Sequence, residues 1–81
     1  MKRGARGAES SGVLLCRLVN AREAARELRD VIAHARASGA GEACRRLRAA
    51  RASLGGAVRH LERLHAEACA REFQERQARA K

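Results

Sequence analysis

From Val13 onward, apolar residues recur at every third or fourth position. Leu14, Leu18, Ala21, Ala25, Leu28, Ile32 and Ala35 step 4-3-4-3-4-3, the a/d stripe that keeps one side of an α-helix against a neighbour. Ser10 or Ser11 supplies an N-cap, with Glu9 near the positive end of the helix dipole. The stripe stops at "ASGAGEA", residues 37 to 43, where Gly39 suits a left-handed C-cap and Gly41 with Glu42 suits a new helix start. A second stripe follows: Ala43, Leu47, Ala50, Leu54, Ala57, Leu61, Leu64 and Ala68. So short a linker makes the two helices antiparallel neighbours.

The expected architecture is therefore all-α, an antiparallel helical hairpin with a coiled-coil-like seam that completes a bundle with itself or with a partner. Residues 1 to 9 read as a disordered basic arm, and residues 10 to 81 as the hairpin. Its helices are expected at about 11–38 and about 42–78, with a turn at about 39–41. Folding one stripe on the other pairs Ile32 with Leu47, Leu28 with Ala50, Ala25 with Leu54, Ala21 with Ala57 and Leu18 with Leu61. In this register residues beyond about 66 have nothing opposite them. Glu67–Arg71, Glu72–Arg76 and Glu75–Arg79 are i,i+4 pairs that would support the overhanging part.

One short stretch cuts across this pattern. "RASLGGAVRHLERLH", residues 51 to 65, carries Gly55 and Gly56 inside the second helix, each costing about 1 kcal/mol relative to alanine. If Leu54 and Ala57 belong to the seam, the glycines point outward. Three readings stay open: the helix tolerates them, they split it into two pieces, or they join Ala49, Ala52 and Ser53 in a small-residue face for another helix.

Some apolar residues fall off both stripes. Val13, Leu15, Cys16 and Val19 form a second stripe on the first helix, and Val58, Cys69 and Phe73 extend the second. They could widen the internal seam as straight helices drift from a 3.5-residue repeat. As an interface they would do more. Burying Leu15, Val19 and Phe73 would contribute about 1.5–3 kcal/mol each before association costs. Leu15, Val19, Val58, Cys69 and Phe73 are accordingly the expected partner-facing residues.

Composition narrows the function further. The 81 residues suit one small domain, with a single aromatic residue (Phe73) and no proline. The net charge is +9, and arginine outnumbers lysine sixteen to two. Such a balance calls for an anionic partner, either an acidic protein face or nucleic acid. Arg22, Arg26, Arg29, Arg45, Arg46 and Arg48 are the expected contacts, with Lys2, Arg3 and Arg6 as a flexible supplement. Without aromatic platforms, nucleic acid would be held by its phosphates alone. A membrane surface fits least, because the stripes are alanine-rich and lack tryptophan.

Catalysis and metal binding find little support. His60 and His65 have the spacing of half a zinc site, but no C-x-x-C supplies the rest. His65 and Cys69 stand at i,i+4 without a glycine-rich turn or pocket-forming aromatics around them. No phosphate-cradling or dinucleotide motif is present. The expectation is a non-enzymatic adaptor or subunit without cofactor or metal, assembling with a protein partner or with itself. The alternative is a basic nucleic-acid-binding module. Three cysteines and a basic start lacking a secretory apolar run suggest a reducing compartment, cytoplasmic or nuclear.

Overall fold

A computed structural model describes residues 9–80; the basic arm with Lys2, Arg3 and Arg6 lies outside the described residues. The chain forms two helices, α1 (Ser11–Ala37) and α2 (Gly41–Ala80), packed against each other as a helical hairpin. Ser10 is the N-cap of α1, its side chain accepting the Val13 backbone N–H at 3.2 Å. At the other end Gly39 adopts φ 77°. The Ala40 N–H donates to the Ala35 carbonyl at 3.0 Å, and the Gly39 N–H to that of Arg36 at 3.1 Å. These two bonds are the Schellman pattern, and they satisfy carbonyls that the helix end leaves without partners.

The hairpin is a single layer of 63 × 26 × 13 Å. Along α1 the expected stripe does face inward: Leu14, Leu18, Ile32 and Ala35 are buried, and Ala21, Ala25 and Leu28 half-buried. Ile32, Ala35 and Cys44 close the turn end with Leu47 packed on them. Leu14, Leu18 and Ala68 are buried nearer the open end.

On α2 the inward row keeps the expected leucines and Ala68 but not the expected alanines. Cys44 and Ala68 are buried, and Leu47, Leu54, Val58, Leu61, Leu64 and His65 are half-buried, whereas Ala43, Ala50 and Ala57 are exposed. The pairings of Leu28 with Ala50 and Ala21 with Ala57 are therefore not formed as closed layers. An alanine fits a seam or a flank equally well, so the 3-4 spacing did not distinguish this row from the one beside it. The overhang also starts later than expected. Arg71 and Glu72 are half-buried against the start of α1, and exposure becomes continuous only from Phe73.

Gly55 and Gly56 lie within an unbroken helix, so α2 is not split. An added Cβ would meet only the Arg59 guanidinium, at 3.7 Å from Gly55 and 3.9 Å from Gly56. No part of α1 approaches them that closely, so a tight helix crossing does not account for the pair.

Candidate functional site: a two-faced helical layer

One ion pair orients the faces. Arg22 on α1 reaches Glu62 on α2 at 2.8 Å, so these two flanks lie on the same side of the layer. Helical spacing places Leu15, Val19, Arg26 and Arg29 on the Arg22 flank, and Gly55, Arg59, Ala66, Cys69 and Phe73 on the Glu62 flank. Two shallow concavities continue this basic face toward the turn. One, of about 310 Å³, is lined by Arg36, Gly39, Ala40, Gly41, Cys44, Arg45 and Arg48. The other, of about 550 Å³, is lined by Arg48, Arg51, Ala52, Gly55 and Arg59.

The opposite face has another character. On α2, Ala43, Ala50, Ala57 and Leu64 repeat every seven residues on the flank turned away from Arg45, Ala52 and Arg59. On α1, Ala24 and Val31 occupy the flank turned away from Arg22 and Arg29, with Val13 further along it. The half-buried Leu28, Leu47, Leu54 and Leu61 border these rows. Between the open end, where Arg17 and Arg71 sit, and the turn, these rows hold alanine, valine and leucine. Val31 remains 48% exposed, which leaves it available to a covering element.

Most of the arginines expected to meet an anionic partner are already engaged. Arg22 pairs with Glu62, Arg26 with Glu23 at 2.7 Å, and Arg45 and Arg46 both with Glu42. Arg46 and then Arg45 hold the Glu42 carboxyl below its ordinary value. Arg29 and Arg48 make no ion pair among the described residues, and neither do Arg51 and Arg59. The groove over Ala52 and Gly55 thus gathers Arg48, Arg51 and Arg59; helical spacing alone sets Arg48 and Arg59 on one side of α2 with Arg51 beside them, although only Arg48 is among the expected contacts. The stretch around them is an acid-free run: no Asp or Glu stands between Glu42 and Glu62.

The expected partner-facing residues divide. Leu15 (45% exposed), Val19 (47%) and Phe73 (54%) are open, and with the exposed Cys69 they share the open-end part of the basic face. Val58 is half-buried and sits in the inward row of α2. Arg76 lies over the Phe73 ring, 5.9 Å from its centroid, instead of pairing with Glu72.

Glu72 is drawn elsewhere. Its carboxylate accepts the Ser11 hydroxyl at 2.6 Å and the Ser11 backbone N–H at 2.8 Å, closing a span of 61 residues. An acid of α2 thus supplements the cap at the start of α1, where free N–H groups and the dipole favour negative charge. The Ser11 hydroxyl, then its N–H, and then the charges of Arg71 and Arg76 hold the Glu72 carboxyl below its ordinary value. Arg71 donates to the Glu9 carbonyl at 2.9 Å, and the Glu9 carboxylate pairs with Arg17 at 2.7 Å. Nothing local in the sequence marks this clasp, because it depends on how far α2 runs past the turn.

Cys69 Sγ lies 3.6 Å from His65 Nε2, but neither residue lines either concavity. His60 contacts Arg63 at 3.2 Å. Among the described residues no three His, Cys, Asp or Glu side chains converge on a point that could hold a metal ion. Among the described residues no helix is long and apolar enough to cross a membrane. Comparisons with protein-family models, curated proteins and solved structures found no match to this chain.

Proposed function

We propose that the chain is a non-enzymatic assembly module in which two copies pack their alanine-rich faces together and turn their more basic faces outward toward an anionic partner. The observation that carries this reading is the heptad row of Ala43, Ala50, Ala57 and Leu64 beside Ala24 and Val31 on one side of the layer, whereas Arg22, Arg29, Arg48 and Arg59 stand on the other side together with Leu15, Val19 and Phe73. A second copy suits the apolar face for two reasons. Two chains of charge +9 that meet there keep most of their arginines away from the contact, which limits repulsion. The paired part of the layer, about 40 Å long and about 20 Å wide, offers roughly 800 Å² per copy, the size of a standard stable interface. The product is a four-helix bundle, which encloses a row that one hairpin leaves open.

The test is solution mass by light scattering at low and high salt, for the natural chain and for Ala50→Glu with Ala57→Glu. Both alanines are exposed, so the substitutions leave the seam of the hairpin intact. Twice 8.8 kDa at both salt concentrations, falling to a folded monomer in the variant, is the expected result. A natural chain that is a folded monomer overturns self-assembly. A chain that folds only when another protein is added transfers the apolar face to that protein.

A further inference from the structure

The acid-free middle of α2 presents more than diffuse positive charge. Within residues 43 to 61 there are Arg45, Arg46, Arg48, Arg51 and Arg59 and no carboxylate. Arg48, Arg51 and Arg59 ring one groove, and its floor is the smallest the helix can offer, Ala52 and Gly55. Arg48 also lines the neighbouring concavity with Arg36 and Arg45, so the two form one track. From Arg45 to Arg59 it spans about 21 Å along the helix. Arg48, Arg51 and Arg59 are exposed and without an ion-pair partner among the described residues, in contrast with Arg22, Arg26, Arg45 and Arg46.

We propose that this groove is a phosphate-binding track by which the hairpin holds the backbone of duplex nucleic acid without reading its sequence. A guanidinium presents a planar fork of donors that matches phosphate oxygens. Several unpaired forks in a row suit a polymer with regularly repeated charge better than a single carboxylate. At Gly55 the floor is bare backbone, which lets a bulky phosphate approach closely. With one aromatic residue in the chain, and that one on the overhang, there is no stacking platform for unpaired bases. Contact is left to the phosphates, which carry no sequence information directly. The inference rests on the assembly reading only in that the basic face is turned outward.

The probe is a fluorescein-labelled 20-bp DNA duplex of arbitrary sequence, with binding followed by anisotropy from 50 to 200 mM NaCl. About four phosphate contacts give a slope of log K against log salt near −3.6. Replacing Arg48, Arg51 and Arg59 by glutamine should lower that slope by about 3 and weaken binding at least about tenfold at 100 mM NaCl. An equal charge is removed off the groove by Arg46→Gln, Arg63→Gln and Arg79→Gln, all at exposed positions. This control should change affinity by less than about threefold. Circular dichroism checks that every variant stays helical, and lysine at the three groove positions should restore most of the slope. Equal losses in the two triple variants would show binding by net charge alone and overturn the site. Absence of duplex binding at 50 mM NaCl also overturns it, and capture of poly-glutamate instead would reassign the groove to acidic proteins. In the Ala50→Glu, Ala57→Glu variant the two added carboxylates lower duplex affinity overall, but the further loss on replacing Arg48, Arg51 and Arg59 should persist whether or not the chain dimerises, so failure of the assembly reading registers in the mass and not in this difference.

Discussion

A backbone turned to φ 77° closes the hairpin at Gly39, a conformation in which any Cβ presses on the following carbonyl oxygen. The space around it is open, with nothing within 4 Å of a notional Cβ, so a substitution there reports backbone cost alone. Gly39→Ala should destabilise the hairpin by about 1 kcal/mol, read as a lower urea midpoint with unchanged helicity before the transition. The other end depends on charge. Glu72 has its carboxyl lowered in the folded chain by Ser11 and by the nearby arginines. The sign follows: its contribution is fully present above the unfolded-state value, about 4.3, and is lost as pH falls through the lower folded-state value. Amide exchange at Ser11 and Val13 should therefore accelerate as pH drops below about 4, once corrected for the intrinsic pH dependence of exchange. Glu72→Gln should show the faster corrected exchange at neutral pH already. If the variant and the natural chain protect Ser11 equally at pH 7, the clasp does not hold the open end.

At the scale of the helices, how legible each stripe was depended on which residues wrote it. On α1 the leucines and Ile32 recur at 3-4 spacing with polar residues on the outer positions, and the buried side follows them. On α2 the leucines of the expected row do face inward, but the alanines between them do not: Cys44 and Val58 fill the row in place of Ala43, Ala50 and Ala57, and alanine at either flank gives no signal to choose. The clasp was illegible for another reason. Glu72 has a local partner in Arg76 and a distant one in Ser11, and only the register of the folded hairpin favours Ser11. The glycine pair reads as a cost to the helix, and nothing in its spacing shows that Gly55 lies on the floor of a groove. That cost makes a prediction about α2 alone. Gly55→Ala with Gly56→Ala has room for both methyl groups, since the nearest atoms belong to the movable Arg59 guanidinium. The double variant should be more stable by about 1–2 kcal/mol, through helix propensity and a less flexible unfolded chain. Thermal unfolding followed at 222 nm decides it, and a lower midpoint would mean that Arg59 needs the bare backbone for more than space.

For the whole molecule, shape argues against self-sufficiency. The radius of gyration is 18.1 Å, whereas a compact chain of this length comes to about 12 Å. A layer one helix thick buries each side chain from one direction only, and among the described residues just Leu14, Leu18, Ile32, Ala35, Cys44 and Ala68 are buried. Isolated hairpins of this kind are marginal because the entropy of ordering two long helices is set against a single seam. If two copies close the apolar face, association adds to the stability of each folded hairpin, which then acquires a concentration dependence that a monomer lacks. A hundredfold rise in chain concentration should then add about 2.7 kcal/mol, moving the urea midpoint upward. The Ala50→Glu, Ala57→Glu variant should lose that dependence while keeping its helicity at low denaturant. Salt separates the two faces in the same experiment. Screening the arginine surface should raise the midpoint of both proteins by a similar amount, whereas the concentration shift, arising from buried alanine, valine and leucine, should not change with salt. A midpoint independent of concentration in the natural chain would leave the hairpin standing alone on its seam, with the clasp at Glu72 and the turn at Gly39 holding its two ends.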